Sequence, residues 1–427
     1  DLVDPGVLFA YQDVVEADRV FVHKQVDCVL AVFHSWAEDN VWIRFLRDYR
    51  RDDPLIYFYP AKEEIPFESC GTDEDFTQFL ASGGLVGMLV GSGSIKKHGR
   101  SAWTVAGTIA DRSKDIITYA RAALVRSNLR SARFGVLPSF NEIMWNTYVD
   151  PYSYHTVGPE LTFISYEELK ATSDRLSSDA VEQWRKELIE VYKVDNDIDD
   201  EKFSASVRYS LGLAALADQY SLNGLTLNDV DMRLFELIGL RPGFYPNWFS
   251  QHQAVLCPEG DAGLLLAHYI LKQFSKAQVN TIEPFYIDDS RKLFCAGHAG
   301  PNDYTASDSE AHVRIAVDAR FARTQYRYAG APFAWLRIPP GEMTMLHMSC
   351  HGDSFIMVGT LVESLPGNHK INGYTHSEFK PIQGDVYTLF EKIMQIGTTQ
   401  HFAVVPGNYL KELSLLAQVC GFDWYHV

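Results

Sequence analysis

The chain has 427 residues, of which 46% are hydrophobic, 13% aromatic and 22% charged. This composition is typical of a folded globular protein of two or three domains and excludes a disordered or fibrous chain. The 38 Lys and Arg residues are outnumbered by 55 Asp and Glu residues, and the net charge of −17 argues against a nucleic-acid partner. Apolar runs such as Gly83–Val90 fall short of the roughly 20 residues that span a bilayer, so no membrane contact is expected.

The cysteine pattern and the first residues indicate a cellular compartment. Six cysteines are scattered without a Cys-x-x-Cys pair, which favours reduced thiols over a secreted disulfide framework. No basic and apolar leader follows Asp1, so no signal peptide is expected. We therefore predict a cytoplasmic location. The cysteines are Cys28, Cys70, Cys257, Cys295, Cys350 and Cys420.

The N-terminal third alternates apolar runs with amphipathic segments. Because a parallel crossover needs a helix to cover the sheet, this alternation predicts a flavodoxin-like parallel α/β domain over residues 1–130. The predicted strands are Val26–Phe33, Pro54–Tyr59 and Leu85–Val90, and the predicted helices between them include Asn40–Tyr49 and Glu74–Leu80.

A second α/β domain is predicted over residues 131–300. Ile109–Leu129 has helical periodicity, and Phe134–Leu137 resembles the first strand of a new unit. Ser177–Val194 and Ser204–Leu222 are typical of amphipathic helices, with an acidic connector between them.

From Ile282 onward the pattern changes to short alternating strands with Gly and Pro between them. This pattern favours an antiparallel β-barrel, which we predict as a domain over residues 301–427. The predicted fold is therefore two flavodoxin-like or Rossmann-like parallel α/β domains followed by an antiparallel β-barrel. The chain should end with a helix over Tyr409–Gly421 and a strand over Phe422–Val427.

Two carboxylates stand where an apolar strand meets a helix. Glu259 and Asp261 flank a glycine there, and open α/β sheets assemble their sites at the carboxyl ends of strands. The alternative is that Asp261 caps the helix and Glu259 is a surface loop residue.

Three further polar residues lie in or beside apolar strands. Glu283 stands in an aromatic strand, His298 ends a strand among glycines, and His401 precedes an apolar strand. Either histidine alone could be structural. Two carboxylates and two imidazoles together make the mixed donor set that suits Mn²⁺ or a similar divalent ion such as Co²⁺ or Mg²⁺.

These segments resemble the metal-site segments of the L-arabinose/L-fucose isomerase family. The resemblance rests on Glu259-Gly260-Asp261 opening a helix, Glu283, His298, and His401 before Ala-Val-Val-Pro-Gly-Asn-Tyr-Leu-Lys-Glu-Leu. The order and approximate spacing match over residues 250–300 and 395–427, and the likeness is only architectural before residue 250. The second acid is Glu, which is similar to the arabinose branch.

The resemblance implies a sugar isomerase, an intramolecular oxidoreductase that converts a free pentose or deoxyhexose aldose to its ketose through a cis-enediol. It implies that Glu259, Glu283, His298 and His401 bind Mn²⁺ and that both glutamates act as acid and base. Asp261 would orient Glu259 or a helix end. A homo-oligomer, hexameric by resemblance, is also implied, with the family's first strand and helix missing from the N-terminal domain.

Four residues are candidate sugar contacts. The segment Gly91–His98 resembles a loop that carries a histidine into a neighbouring subunit's site in the arabinose branch, although a solvated basic turn explains His98 equally well. Trp248, Phe285 and Tyr286 could be apolar walls of a sugar site or simply core residues.

Two other functions stay open. A non-catalytic sugar-binding α/β protein could keep the same fold and need no transition metal. A metal-dependent hydrolase could use the same ligands to activate water.

Overall fold

The structure is a computed structural model that describes residues 1–36, 39–49, 53–62, 71–305, 313–322, 330–352 and 354–427. Cys70 lies outside these ranges. Contacts divide the chain into two compact units, Asp1–Ser127 and Asn128–Val427. The predicted division into three domains stays a prediction.

The unit Asp1–Ser127 contains a parallel three-stranded sheet. Its strands follow one another in sequence order, β1 (Val29–Val32), β2 (Leu55–Pro60) and β3 (Trp103–Gly107). The flavodoxin-like arrangement is not confirmed, since that fold places its first strand between two others. The helices of this region are α1 (Tyr11–Lys24), α2 (Asp39–Asp48), α3 (Asp73–Ala81), α4 (Gly84–Lys97) and α5 (Ile109–Ser131).

The predicted strand Leu85–Val90 is wrong, because these residues lie in helix α4. Glycines at positions 84, 87 and 91 share one helix face and let it approach its neighbours closely. A Cβ atom would lie 2.6 Å from the Phe33 carbonyl oxygen at Gly84 and 2.3 Å from the Tyr57 hydroxyl at Gly91. The strand was predicted from the apolar run alone, and the spacing of the glycines, which places them on one face of a helix, was not used. The loop predicted from Gly91 onward is therefore helical as well.

Helices α3 and α4 form the one stretch in the described chain that is long and apolar enough to cross a membrane. This stretch, Asp73–Lys97, has a mean hydropathy of 1.3 in its most apolar window, and 33% of that window is buried. The apolar window of Asp73–Lys97 is longer than the run Gly83–Val90, on which the expectation of no membrane contact rests. One such stretch is weak evidence by itself, because core helices of soluble proteins meet the same criterion, so the expectation of no membrane contact stays a prediction.

The unit Asn128–Val427 contains a parallel four-stranded sheet in the order β5-β4-β7-β8, where the strands are β4 (Arg133–Leu137), β5 (Glu160–Phe163), β7 (Gly224–Leu227) and β8 (Val255–Pro258). Every residue of β7 and β8 is buried, as expected when helices cover both faces of a parallel sheet. The helices up to β8 are α6 (Pro151–Val157), α7 (Tyr166–Asp174), α8 (Ser178–Val191), α9 (Asp200–Gln219), α10 (Met232–Ile238) and α11 (Asn247–Gln251), with a 3₁₀ turn at Trp145–Thr147.

Six antiparallel strands close into a barrel near the C-terminus, which confirms the predicted barrel. Their order is β13-β16-β9-β10-β15-β14, and β14 pairs back with β13. The barrel starts at Asn280, before the predicted domain limit at residue 301. Its strands are β9 (Asn280–Asp288), β10 (Leu293–His298), β13 (Gly341–His351), β14 (Ser354–Ser364), β15 (Thr375–Pro381) and β16 (Phe402–Pro406).

The remaining elements surround the barrel and the sheet. A small sheet joins β6 (Lys193–Val194), β11 (Val313–Val317) and β12 (Pro332–Leu336), and β17 (Asp423–His426) pairs in parallel with β14. The last helices are α12 (Ala262–Ser275), α13 (Ala319–Ala322), α14 (Val386–Ile396) and α15 (Leu410–Cys420).

Helix α12 links the parallel sheet to the barrel. It is apolar on nearly every side and contacts β7 and β8 as well as β13 and β16, which explains its almost complete burial. A Cβ atom at Gly263 would lie 2.3 Å from the Met348 carbonyl oxygen, so only glycine permits this close approach to β13. Helix α12 therefore lies beside β13 and beside β16, the strand that His401 precedes.

Candidate metal centre

Glu259 stands at the carboxyl end of β8, where the backbone turns sharply into α12. Its φ of +64° lies in the left-handed region, as does the φ of +66° at Gly260. This conformation strains a residue that has a side chain, and neighbouring groups must hold it. The Glu259 N–H donates to Oδ1 of Asp229 at 2.8 Å, and its carbonyl oxygen accepts from Nδ2 of Asn141 at 3.0 Å.

His298 ends β10 and is fully buried. Its Nδ1–H donates to the carbonyl oxygen of Ala299. Its Nε2 finds no hydrogen-bond partner in the described part of the chain and lies 3.5 Å from Oε1 of Glu259. A histidine whose Nδ1–H is held by a carbonyl and whose Nε2 is free has the arrangement of a metal ligand.

His401 precedes β16 and is also fully buried. Its Nδ1 lies 2.9 Å from Oδ2 of Asp261, and its Nε2 lies 3.3 Å from Oε2 of Glu259. The other Asp261 oxygen accepts from the Leu264 N–H at 2.8 Å and caps α12. Asp261 therefore orients His401 and starts the helix at the same time.

Glu259, His298 and His401 form a buried group that could hold a metal ion. One donor atom from each lies within 4.8 Å of the others. Ligands about 2.0–2.2 Å from a common ion are about 3–3.5 Å apart, and the 3.3 and 3.5 Å separations from the two Glu259 oxygens lie within this range. The buried His298 nitrogen without a partner and the mixed oxygen and nitrogen donors both fit a divalent metal.

The charged groups of this site shift one another's pKa values. Burial raises the pKa of Glu259, but His298, His401 and Arg241 outweigh burial and hold it well below its usual range. Burial lowers the pKa of His298 despite the opposing charge of Glu259. Burial also opposes protonation of His401, but the carboxylates of Asp261 and Glu259 raise its pKa well above its usual value. A proton on His401 thus supplies positive charge that a bound cation would displace.

Glu283, the predicted fourth ligand, is not a member of this three-residue group. It lies on β9 opposite Gly297 and is half-buried. Its Oε1 accepts a hydrogen bond from the Tyr374 hydroxyl at 3.0 Å. Its charge still acts on the pKa of His298, so the carboxylate lies near the group. Its role as a ligand stays a prediction.

The four candidate sugar contacts have different surroundings. Phe285 is 37% exposed, and its ring meets the Tyr374 ring edge-on. Tyr286 is 51% exposed on the same strand. Trp248 stacks on His252 and donates to Asp218 at 3.3 Å, so it packs against α9. His98 is the C-cap of α4 in the unit Asp1–Ser127.

Several residues that hold the ligands were not singled out from the sequence. The buried Arg241 pairs with Asp229, and Arg320 lies 3.3 Å from Oε1 of Glu259. Asp229 follows β7, so the rule that sites form at the carboxyl ends of strands could have identified it. No comparable local signal marks Arg241, Arg320 or Tyr374. No protein-family model matches the chain, and a comparison with characterised proteins finds no match.

Proposed function

We propose that the protein is a metal-dependent aldose–ketose isomerase of the L-arabinose/L-fucose isomerase type, acting on a free pentose or deoxyhexose. The observation that carries this proposal is the convergence of Glu259, His298 and His401, three residues singled out from distant segments by the family resemblance. The proposal includes Mn²⁺ or a similar divalent ion, a homo-oligomer, a cytoplasmic location and flavodoxin-like N-terminal and central domains.

The three ligands suit an ion that must also bind substrate. Three protein donors leave coordination positions open, as in catalytic rather than structural sites. When bound, a divalent ion would hold two adjacent sugar oxygens and polarise the carbonyl group. Asp261 keeps the Nε2 of His401 directed towards Glu259, and the Ala299 carbonyl does the same for the Nε2 of His298.

The two glutamates suit different roles in the reaction. Glu259 contacts both imidazoles and Arg320, and its pKa is held low by the two histidines and Arg241 despite burial. It therefore stays a carboxylate and acts mainly as a ligand. Within the described part of the chain, the Glu283 carboxylate accepts one hydrogen bond, from Tyr374, and the residue is half-buried. We assign to Glu283 the removal of the proton at C2 and its return at C1 of the sugar, while the hydroxyl proton of O2 passes to O1.

The charge of the site favours an uncharged substrate. Among the described residues, the ligand group, Glu283 and the charged residues connected to the group by chains of hydrogen bonds or ion pairs contribute five carboxylates against the two guanidinium groups of Arg241 and Arg320. A divalent ion would leave one excess negative charge, which would repel a sugar phosphate but not a free sugar. The carboxylates belong to Asp229, Glu259, Asp261, Glu283 and Asp318.

A metal-dependent hydrolase is the second candidate, and one specific observation favours it. Two histidines and one glutamate are the protein ligands of several zinc hydrolases, in which the open position holds the water that attacks the substrate. The group Glu259, His298 and His401 has this composition, and Glu283 stands apart from it.

The test is to incubate the purified protein with Mn²⁺ and a panel of free aldoses and to assay ketose formation. Metal analysis and calorimetry with Mn²⁺ establish whether the ion binds. Glu283→Gln should remove ketose formation and leave Mn²⁺ binding largely intact, whereas Glu259→Gln should remove both. Full ketose formation by either folded variant would contradict the mechanism. Ester or glycoside hydrolysis without isomerisation would favour the hydrolase, and sugar binding without either reaction would indicate a non-catalytic binding protein.

A further inference from the structure

Arg241 is a buried cation beside the candidate site. It lies between α10 and α11 and is 2% exposed. A guanidinium group removed from water must be matched by carboxylates and carbonyls, so the groups it contacts are constrained by it. Through these groups Arg241 is connected to Glu259 and His298, two of the three candidate ligands.

One side of Arg241 leads to Glu259. Its Nε and Nη2 lie 2.7 and 2.6 Å from Oδ2 of Asp229. The other Asp229 oxygen accepts the N–H of Glu259 at 2.8 Å. Through this carboxylate, Arg241 supports the left-handed backbone conformation that directs the Glu259 side chain.

The other side leads to His298. Nη2 of Arg241 donates to the carbonyl oxygen of Ala299 at 3.0 Å, and the same oxygen accepts the Nδ1–H of His298. Position 300 allows this contact because it is glycine. A Cβ atom there would lie 2.6 Å from Nη2 of Arg241 and 2.9 Å from Oδ2 of Asp229.

A third contact reaches the segment that follows β11. Nη1 of Arg241 lies 3.4 Å from Oδ2 of Asp318, and Oδ1 of Asp318 accepts the N–H of Arg320 at 3.0 Å. Arg241 therefore contacts chain segments after β7, β10 and β11 with one planar group, which a lysine ammonium cannot reproduce.

We propose that Arg241 is a positioning residue that fixes Glu259 and His298 relative to each other and thereby sets the affinity and coordination geometry of the metal. This inference rests on the metal site of the proposed function and extends it to Arg241, a residue outside the predicted ligand set.

The test compares Arg241→Lys and Arg241→Met with the wild-type protein. Calorimetry with Mn²⁺ should give a dissociation constant raised about 10- to 100-fold in both variants, the range found when a residue that orients a metal ligand is lost. At saturating Mn²⁺, the electron paramagnetic resonance spectrum should also change, because the two ligands no longer hold their mutual geometry. Neither measurement depends on catalytic activity.

Arg337→Lys is the matched control. Arg337 is similarly buried, at 3% exposure, and donates to the carbonyl oxygens of Leu365 and Asn368 at 2.6 and 2.7 Å. Its replacement should lower thermal stability and leave Mn²⁺ affinity unchanged. If Arg241→Lys shows the same result, with lower stability and unchanged Mn²⁺ affinity and spectrum, the positioning role is overturned.

A second variant covers the case in which Arg241 variants do not fold. Asp229→Asn keeps an oxygen that can accept the Glu259 N–H but removes the charge that pairs with Arg241. We expect weaker Mn²⁺ binding, and wild-type affinity in this variant would overturn the inference. Wild-type protein that binds no Mn²⁺ would instead overturn the proposed metal site itself, so the two failures are distinguishable.

Discussion

His401 and Asp261 are 140 residues apart in the sequence, yet Nδ1 of the imidazole lies 2.9 Å from Oδ2 of the carboxylate. A carboxylate at this nitrogen keeps the proton on Nδ1 and leaves Nε2 as the metal donor. In Asp261→Asn the amide oxygen can still cap α12, since Asn is a good N-cap residue, but its NH₂ group would face Nδ1. We expect Mn²⁺ affinity to fall about 10- to 100-fold.

Asp385→Asn is the control for this substitution. Asp385 caps α14 by accepting the N–H groups of Tyr387 and Thr388. Both variants should keep their helix caps, and only Asp261→Asn should bind Mn²⁺ more weakly. Equal Mn²⁺ affinities for the two variants would show that Asp261 acts only as a cap.

The sequence was most informative where a local pattern decides the structure. The apolar runs at β1, β2 and β4 predicted strands because β-branched residues suit a buried sheet, and the alternation after Ile282 predicted the barrel. The run Leu85–Val90 was misleading because its composition fits a strand, whereas it lies in helix α4, whose Gly84 and Gly87 lie close to Phe33.

The site was predictable to a smaller extent. Glu259 and His298 stand at ends of apolar segments, a position that can be recognised from the sequence. The contacts of Arg241 depend on how separate segments meet. Asp318, for instance, is 77 residues further along the chain. Such a partner follows from strand register and helix packing, which no local pattern specifies.

Acid should destabilise the protein through a buried histidine on α12. Burial, together with the charges of His298 and Lys272, lowers the pKa of His268 to about 3. The unfolded chain takes up this proton below about pH 6.5 and the folded chain does not. The contribution of His268 to the free energy of unfolding should therefore be complete above about pH 6.5. It should fall by about 1.4 kcal/mol per pH unit as the pH drops towards 3.

The variant His268→Gln isolates this contribution. Its amide can still contact the Thr281 hydroxyl, which lies 3.0 Å from Nε2 of His268. Urea unfolding between pH 4 and 7 should show a pH slope smaller by about one proton than in the wild type. The exposed His252→Gln serves as the control, and an unchanged slope in His268→Gln would rule out this residue as the source.

Removing the Tyr374 hydroxyl tests whether Glu283 needs a fixed orientation. The hydroxyl donates to Oε1 of Glu283, and Phe285 packs edge-on against the Tyr374 ring. We expect Tyr374→Phe to lower the kcat of ketose formation about 10-fold, since misplacing a general base costs rate. Mn²⁺ affinity should not change. Tyr387→Phe, which removes a hydroxyl that donates to Asp289 on the barrel, should keep full activity.

Arg320 pairs with Glu259 and would compete with a metal ion for this carboxylate. Its Nη1 lies 3.3 Å from Oε1 of Glu259, and its side chain is 45% exposed. Solvent screens an ion pair of this exposure, so its free energy is about 1 kcal/mol or less. Removing the cation in Arg320→Gln should tighten Mn²⁺ binding by up to about fivefold, because one positive charge no longer opposes the ion. Titration with Mn²⁺ at low and high salt measures the effect, which should shrink as salt screens the charge. Weaker binding by Arg320→Gln would mean that Arg320 orients Glu259 for the metal instead of competing with it.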